Sequence, residues 1–371
     1  MRLADRYTSA AWMTREAEGL WPRAWLLAGV ALDVSQPNQR MRFDIGGEPL
    51  IIARDGEGIL RAFYNVCPHR GHQLCEQRLG RGGLRCPYHH WSFDLTGTLR
   101  ARPDDDHFTT RPGLTSIRCE EAAGLVWVCM DPQTPPLSEW LGPVLPWLAA
   151  YRVETMSLTD EVTMPTAGNW KLTLDANNEH YHLHTIHPEL LGMIDDTAVT
   201  TELIPPHGRM RVPVGVPSGR RGVHVPDPGR AAEQRARLTS QGIDVSSLSD
   251  AQLVENQMLY VFPNLQLNCY PDRLQIFRHR PHETDPARGY FDRLVLTATA
   301  DDLPVRQTHH RTLDPDTGSL GAVIDADLVA VRSLQRGLSS RGFTGPHFGR
   351  SESLIAMMHA TLTQWLSDPV G

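Results

Sequence analysis

No stretch of this 371-residue chain is apolar for long enough to cross a membrane: the most hydrophobic run near the start, Leu20 to Leu32, is broken by Pro22 and Arg23. That run therefore reads neither as a spanning helix nor as a signal-peptide core, and a cytoplasmic protein is expected. Positive charge is also in short supply. Lys and Arg total 36 against 43 Asp and Glu, a net −7, which argues against a chain built to grip nucleic acid or anionic lipid. Repeats and low-complexity tracts are missing, and with 40% hydrophobic residues the chain can bury a large core. Six cysteines are too few for a disulfide scaffold at this length, so metal binding is the better use for any that are suitably spaced. Tryptophan nearly stops after Trp170, with only Trp365 following.

The length points to two domains. From Arg42 to Met130 short β-type runs such as Leu50–Ala53, Leu60–Tyr64 and Leu125–Val128 alternate with Gly, Asp and Pro turns, the pattern of a small antiparallel β domain. Pro-rich segments at 132–136 and 143–146 close it, placing the boundary near residue 155. The first 35 or so residues could pack on the second domain. That domain, 156–371, reads as α+β: a helix from Trp170 to about His187, strands between Met258 and Ala298, and helices at 322–338 and 352–366. Pro205 to Arg237, with seven arginines and many Pro and Gly, reads as a loop closing over a site as a lid.

Two groups of metal-ligand residues stand out among 17 histidines. Cys67-Pro68-His69 and Cys86-Pro87-Tyr88-His89 each supply one thiolate and one imidazole, sixteen residues apart. A zinc finger keeps like ligands paired on one element, whereas this alternation suits a binuclear cluster in which two cysteines hold one iron and two histidines the other. The second group packs Asp175, Glu179, His180, His182, His184 and His187 into thirteen residues. On an ideal helix, at about 100° per residue, His180 and His184 share a face while His182 and His187 diverge by about 140°. Further on, Asp325 and Asp327 face roughly opposite sides of the 322–338 helix. Asp327 falls with Val331, Leu334 and Leu338, a stripe expected to be buried, where an acid needs a cation; a solvated or capping role suits Asp325. Cys75, Cys119, Cys129 and Cys269 have no partners at ligand spacing and read as small buried hydrophobes.

Cys67-Pro68-His69-Arg70-Gly71 and Cys86-Pro87-Tyr88-His89-His90-Trp91 resemble the two cluster loops of Rieske iron-sulfur proteins, apart from His90, where Gly is usual. Glu179 to His187 resembles the iron motif of Rieske non-haem iron oxygenases, and the Asp327 to Leu338 segment resembles the ligand helix of their choline and carnitine branch. The resemblance implies an N-terminal Rieske domain and a C-terminal helix-grip-like catalytic domain. It implies a [2Fe-2S] cluster on Cys67, His69, Cys86 and His89, and mononuclear Fe(II) on His182, His187 and Asp327. Glu179 takes the place of the acid that bridges one subunit's cluster to the next subunit's iron, within a homotrimer. Asp175 matches the acid that precedes the motif, with Ala176 where Asn is usual. Electrons would come from NAD(P)H through a separate flavin reductase or ferredoxin. Hydroxylation of a small organic molecule with O2 is implied, by dihydroxylation, monooxygenation or demethylation. The Arg-rich segment favours an aromatic or alicyclic carboxylate, and thus aromatic hydrocarbon catabolism; Glu179 and the Asp327 segment favour an N-methyl or quaternary amine. Tyr181, Tyr260, Phe262, Tyr270 and Phe277 are the aromatic residues available to a pocket. A Rieske electron carrier without oxygenase activity would need only the first ligand group.

Overall fold

A computed structural model describes residues 2–222, 227–300 and 308–367. Contacts divide it into Trp21–Trp140 and a second unit made of 1–20 with 141–371. The boundary expected near residue 155 thus lies earlier by contact, for a local reason. Trp147 stacks its ring under the Arg209 guanidinium at 3.9 Å, Ser247 donates to the Ala150 carbonyl, and Arg152 pairs with Asp244, so the 141–155 segment is tied to the second unit. The N-terminal 20 residues belong there too. Glu16, buried, accepts from Lys171 Nζ at 2.6 Å, Trp12 Nε1 at 2.7 Å and Trp170 Nε1 at 3.1 Å, so the carboxylate of this buried ion pair is well supplied with donors. Residues 26–30, by contrast, pair with Leu125–Cys129 inside the first unit.

The first unit is a seven-stranded antiparallel sheet ordered Leu26–Val30, Leu125–Cys129, Ser116–Ala122, Leu60–Tyr64, Glu48–Arg54, Gln39–Ile45, Leu79–Arg81, with a small three-stranded sheet, 84–85, 92–93 and 99–101, beside it. Leu125–Cys129 is buried throughout, as its unbroken apolar run requires. In the second unit an eight-stranded sheet runs in the order 200–204, 207–213, 255–261, 265–270, 273–281, 289–297, 157–166, 311–312, antiparallel except for its last pair. The Trp170–Asn177 helix packs on its central strands and against the Ala322–Leu338 helix.

Two local expectations change. The segment 205–237 is not one loop: His207–Pro213 is a sheet strand and Arg230–Ser240 a helix, while 223–226 lie outside the described residues. Strand pairing with 255–261 absorbs the backbone polarity that sequence composition assigned to a loop. The helix expected from Trp170 to His187 stops at Asn177, and only Leu183–Ile186 resumes a single turn.

Candidate metal centres

In the first unit both ligand loops are closed by matching backbone bonds. The Cys67 amide donates to the His72 carbonyl and Gly71 back to Cys67; the Cys86 amide donates to Trp91 and His90 back to Cys86. His90 carries φ of 57°, the left-handed region that favours glycine, which explains why Gly is the usual residue at this position and why His is under strain there. Cys67 and Cys86 are buried in the same apolar cluster as Phe63, Trp91 and Phe93, so the core itself holds the loops. The His69 and His89 rings approach to 4.5 Å between centroids, and the Nδ1 atom of each is buried without a hydrogen-bond partner. Two orphaned imidazole nitrogens beside two buried thiols fit a cluster that binds each type of ligand to a different iron.

The second group resolves through the broken helix. Asn169 caps the Trp170–Asn177 helix by accepting from the Lys171 amide at 3.1 Å, and the chain leaves helical geometry before Glu179. His182 stands at the start of the next short turn and His187 at its end, where φ −124° and ψ 52° rotate the imidazole away from helical register. His182, His187 and Asp327 therefore bring one ligand atom each to within 4.8 Å of the others, the one such cluster among the described residues. His187 Nε2 lies 2.8 Å and His182 Nε2 3.6 Å from Asp327 Oδ1. Two imidazoles and a carboxylate crowded on one side fit the facial arrangement that leaves positions open on Fe(II). Burial raises the Asp327 carboxyl above its ordinary range, against the opposing pull of both histidines. Burial of His182 opposes its charge, yet the Glu179 bond and charge hold its pKa above normal.

Glu179 anchors this turn. Its carboxylate meets His182 Nδ1 and accepts from the Tyr181 and His182 amides, fixing the ring so that Nε2 faces Asp327. His180 and His184, the pair favoured by an ideal helix, stand outside the three-ligand cluster. Asp325 serves its own helix end, accepting from Ser319 Oγ and the Leu320 amide. The apolar stripe around Asp327 is narrower than expected: Val331 and Leu338 are buried, but Leu334 is 52% exposed. Gln335 was legible only as part of a motif. Its side chain accepts from the Asn169 amide at 2.8 Å and donates to the Tyr7 carbonyl at 3.1 Å, clamping the Asp327 helix to the start of the Trp170 helix.

Asp175 lies apart from the three ligands. It is half-buried and accepts from Tyr7 Oη at 2.7 Å, while the same hydroxyl sits 2.6 Å from His359 Nε2; burial pushes its pKa up to about 7. No sequence signal pointed to Tyr7 or His359, because Tyr7 reaches Asp175 across 168 positions and His359 reaches Tyr7 across 352.

Asp327 also forms part of the wall of a cavity of about 910 Å³, together with Asn177, Met193, Tyr270 and Phe277. Of the other aromatic candidates, Tyr260 and Phe262 are core residues and Tyr181 is 60% exposed. Four arginines reach the cavity, each with a protein partner as well: Arg230 donates to the Val214 carbonyl, Arg237 to the Gln234 and Gln241 side chains, Arg293 pairs with Asp160, and Arg273 pairs with Asp272 and stacks on Tyr270.

Residues 153–368 match the family of ring hydroxylating alpha subunits (catalytic domain) and residues 24–116 the Rieske [2Fe-2S] domain. This chain belongs to the Rieske non-haem iron oxygenases. As a member of that family it is an oxidoreductase that uses a [2Fe-2S] cluster and a mononuclear iron. The glycine betaine monooxygenase oxygenase subunit of Chromohalobacter salexigens is 32% identical over 189 residues, 49% of this chain and 42% of that protein, so the match spans less than half the relative's length. The carnitine monooxygenase oxygenase subunit of Acinetobacter pittii is 25% identical over 91% of this chain and 85% of its own. In fold, the chain is similar to a quaternary ammonium Rieske monooxygenase crystallised with L-carnitine, at TM-score 0.75 and 22% identity over 98% of this chain and 95% of that one. A naphthalene 1,2-dioxygenase shares the fold at TM-score 0.73 and 18% identity. Dioxygenation, and the aromatic catabolism expected from the Arg-rich segment, are not supported: these sequence relatives are named for the quaternary amines glycine betaine and carnitine. Among the described residues no helix is long and apolar enough to cross a membrane.

Proposed function

We propose that this oxygenase hydroxylates a carbon next to the nitrogen of a quaternary or N-methyl amine bearing a carboxylate. The carrying observation is that Asp327 belongs both to the three-residue ligand cluster and to the wall of the large cavity, so a molecule in the cavity lies against the metal position. The wall offers aromatic faces, Tyr270 and Phe277, and the carboxylates of Glu233 and Asp272 for a cation, with Arg230 and Arg237 for an anion. A zwitterion uses both. A hydroxylated carbon on nitrogen collapses to an aldehyde and the smaller amine.

In this reading His182, His187 and Asp327 hold iron, which supplies oxygen activation at its open positions. Cys67, His69, Cys86 and His89 hold the electron-carrying cluster. Glu179 orients His182 through Nδ1 and spends its remaining acceptor capacity on His89 of the partner subunit, the head-to-tail contact of a closed ring. A separate ferredoxin or flavin reductase delivers the electrons from NAD(P)H.

Purified protein with a surrogate reductase, NADH and O2 tests the proposal against glycine betaine, carnitine and benzoate. The expected outcome is aldehyde or lower amine formed in proportion to NADH from at least one of the amines, with benzoate unchanged. Ring hydroxylation of benzoate with both amines untouched would overturn it.

A further inference from the structure

Arg102 is a long cation whose side chain is only 1% exposed. It lies in the Rieske unit, and no ligand role claims it. Its guanidinium stands 4.9 Å from the Trp91 ring centroid and 4.3 Å from that of Phe108. Trp91 in turn stacks on His69 at 4.9 Å with an interplanar angle of 1°, and Phe108 meets His69 edge-on at 5.9 Å. A buried positive charge therefore stands against the same two rings, Trp91 and Phe108, that contact a cluster-loop imidazole.

The charge is incompletely neutralised. Arg102 Nε donates to Asp105 Oδ1 at 2.5 Å, but Asp105 is 46% exposed and also pairs with Arg111. Arg102 Nη1 is buried with no hydrogen-bond partner. Water and salt screen the field of the exposed carboxylate, whereas the buried guanidinium acts through protein. Packing alone does not call for an arginine here, since a Met or Leu would fill the space beside Trp91 without the cost of burying a charge.

We propose that Arg102 is a positioning residue for electron transfer that raises the reduction potential of the cluster. This rests on the reading that Cys67, His69, Cys86 and His89 hold a [2Fe-2S] group. One-electron reduction by the reductase makes that group more negative by one charge, and a fixed cation nearby stabilises the reduced form. The potential is thereby set by a residue that touches neither metal nor ligand.

Redox titration of the intact protein with mediators at neutral pH, followed by the visible and EPR signals of the cluster, reads the effect. Arg102→Gln should raise the ratio of oxidised to reduced cluster about tenfold at a fixed potential, a fall of about 59 mV for a one-electron couple. Arg102→Lys, which keeps the charge and loses the planar stack, should stay near the wild-type value. Asp105→Asn, at an exposed site, should move the ratio the opposite way. Unchanged potentials in Arg102→Gln with the cluster spectrum intact would overturn the proposal, as would equal falls in the Gln and Lys variants, which would trace the effect to packing. Should Arg102→Gln fail to fold, Arg102→Met, which removes the charge at similar side-chain length, decides, and no fall in potential there rejects the idea. A wild-type protein without a Rieske spectrum would instead remove the underlying cluster reading.

Discussion

A single carboxylate separates the two ways of placing iron on the histidine-rich turn. Asp327 Oδ1 faces His182 and His187, whereas Asp325 is occupied by Ser319 and Leu320 at the helix start. His182→Ala, His187→Ala and Asp327→Ala should each reduce total iron from about three to about two per chain, and end product formation, without changing the cluster spectrum. His180→Ala, His184→Ala and Asp325→Ala should keep three. Iron analysis of the six variants checks the assignment, and loss of iron in the His180 and His184 variants instead would restore the ideal-helix pair. Asp175 gives a pH test at the same scale. Its folded pKa of about 7 lies above the ordinary 3.8, so between those values the folded state binds more protons than the unfolded one and stability falls as pH rises. Asp175→Asn is neutral throughout and can still accept from Tyr7. Its Tm relative to wild type should therefore rise between about pH 5 and about pH 8; a constant difference in thermal melts would show that the carboxyl does not hold its proton.

At the scale of elements, the position of Asp327 depends on how closely its helix approaches the bend that leads into the Trp170–Asn177 helix. A Cβ at Gly168 would stand 2.5 Å from Val331 Cγ1, one turn beyond Asp327 on the same helix. Gly168→Ala should push that helix outward, cost about 1–3 kcal/mol, and reduce mononuclear iron content while the cluster signal persists. Equal iron in the variant and wild type would mean that the helix tolerates the displacement. The break after Asn177 is the other decision made by an element. Sequence periodicity supports one continuous helix, but the Glu179 carboxylate accepts from the Tyr181 and His182 amides, competing with the helical bonds those amides would otherwise make.

For the whole molecule, Glu179 distinguishes electron transfer between subunits from transfer within one. Its carboxylate already engages His182 Nδ1, leaving acceptor capacity for an imidazole from another chain. Mixed oligomers of Cys86→Ala and His182→Ala chains should recover part of the activity that each lacks alone. The same oligomers carrying Glu179→Gln in every chain should not, although both metals remain bound. Turnover assays on verified mixtures check both arms, and no recovery in the first would place the electron path inside one chain.

The candidate cluster ligands were legible in the chain because close spacing confines them: Cys67 and His69, and Cys86 and His89, each lie within three positions of one another, whereas His182 and His187 were singled out by the resemblance to a motif and not by helical geometry. Strand runs and the final helices were legible for the same reason, since apolar periodicity reports which face a neighbouring layer will cover. Contacts across long separations were decided only by the tertiary structure. Asp175 and His359 meet at the Tyr7 hydroxyl, Gln335 joins Tyr7 to Asn169, and Arg209, expected in a loop, becomes a strand residue stacked on Trp147. Each depends on the free energy of burying a polar group with its partner, a quantity set by which distant element arrives beside it and not by the residues next to it in the chain.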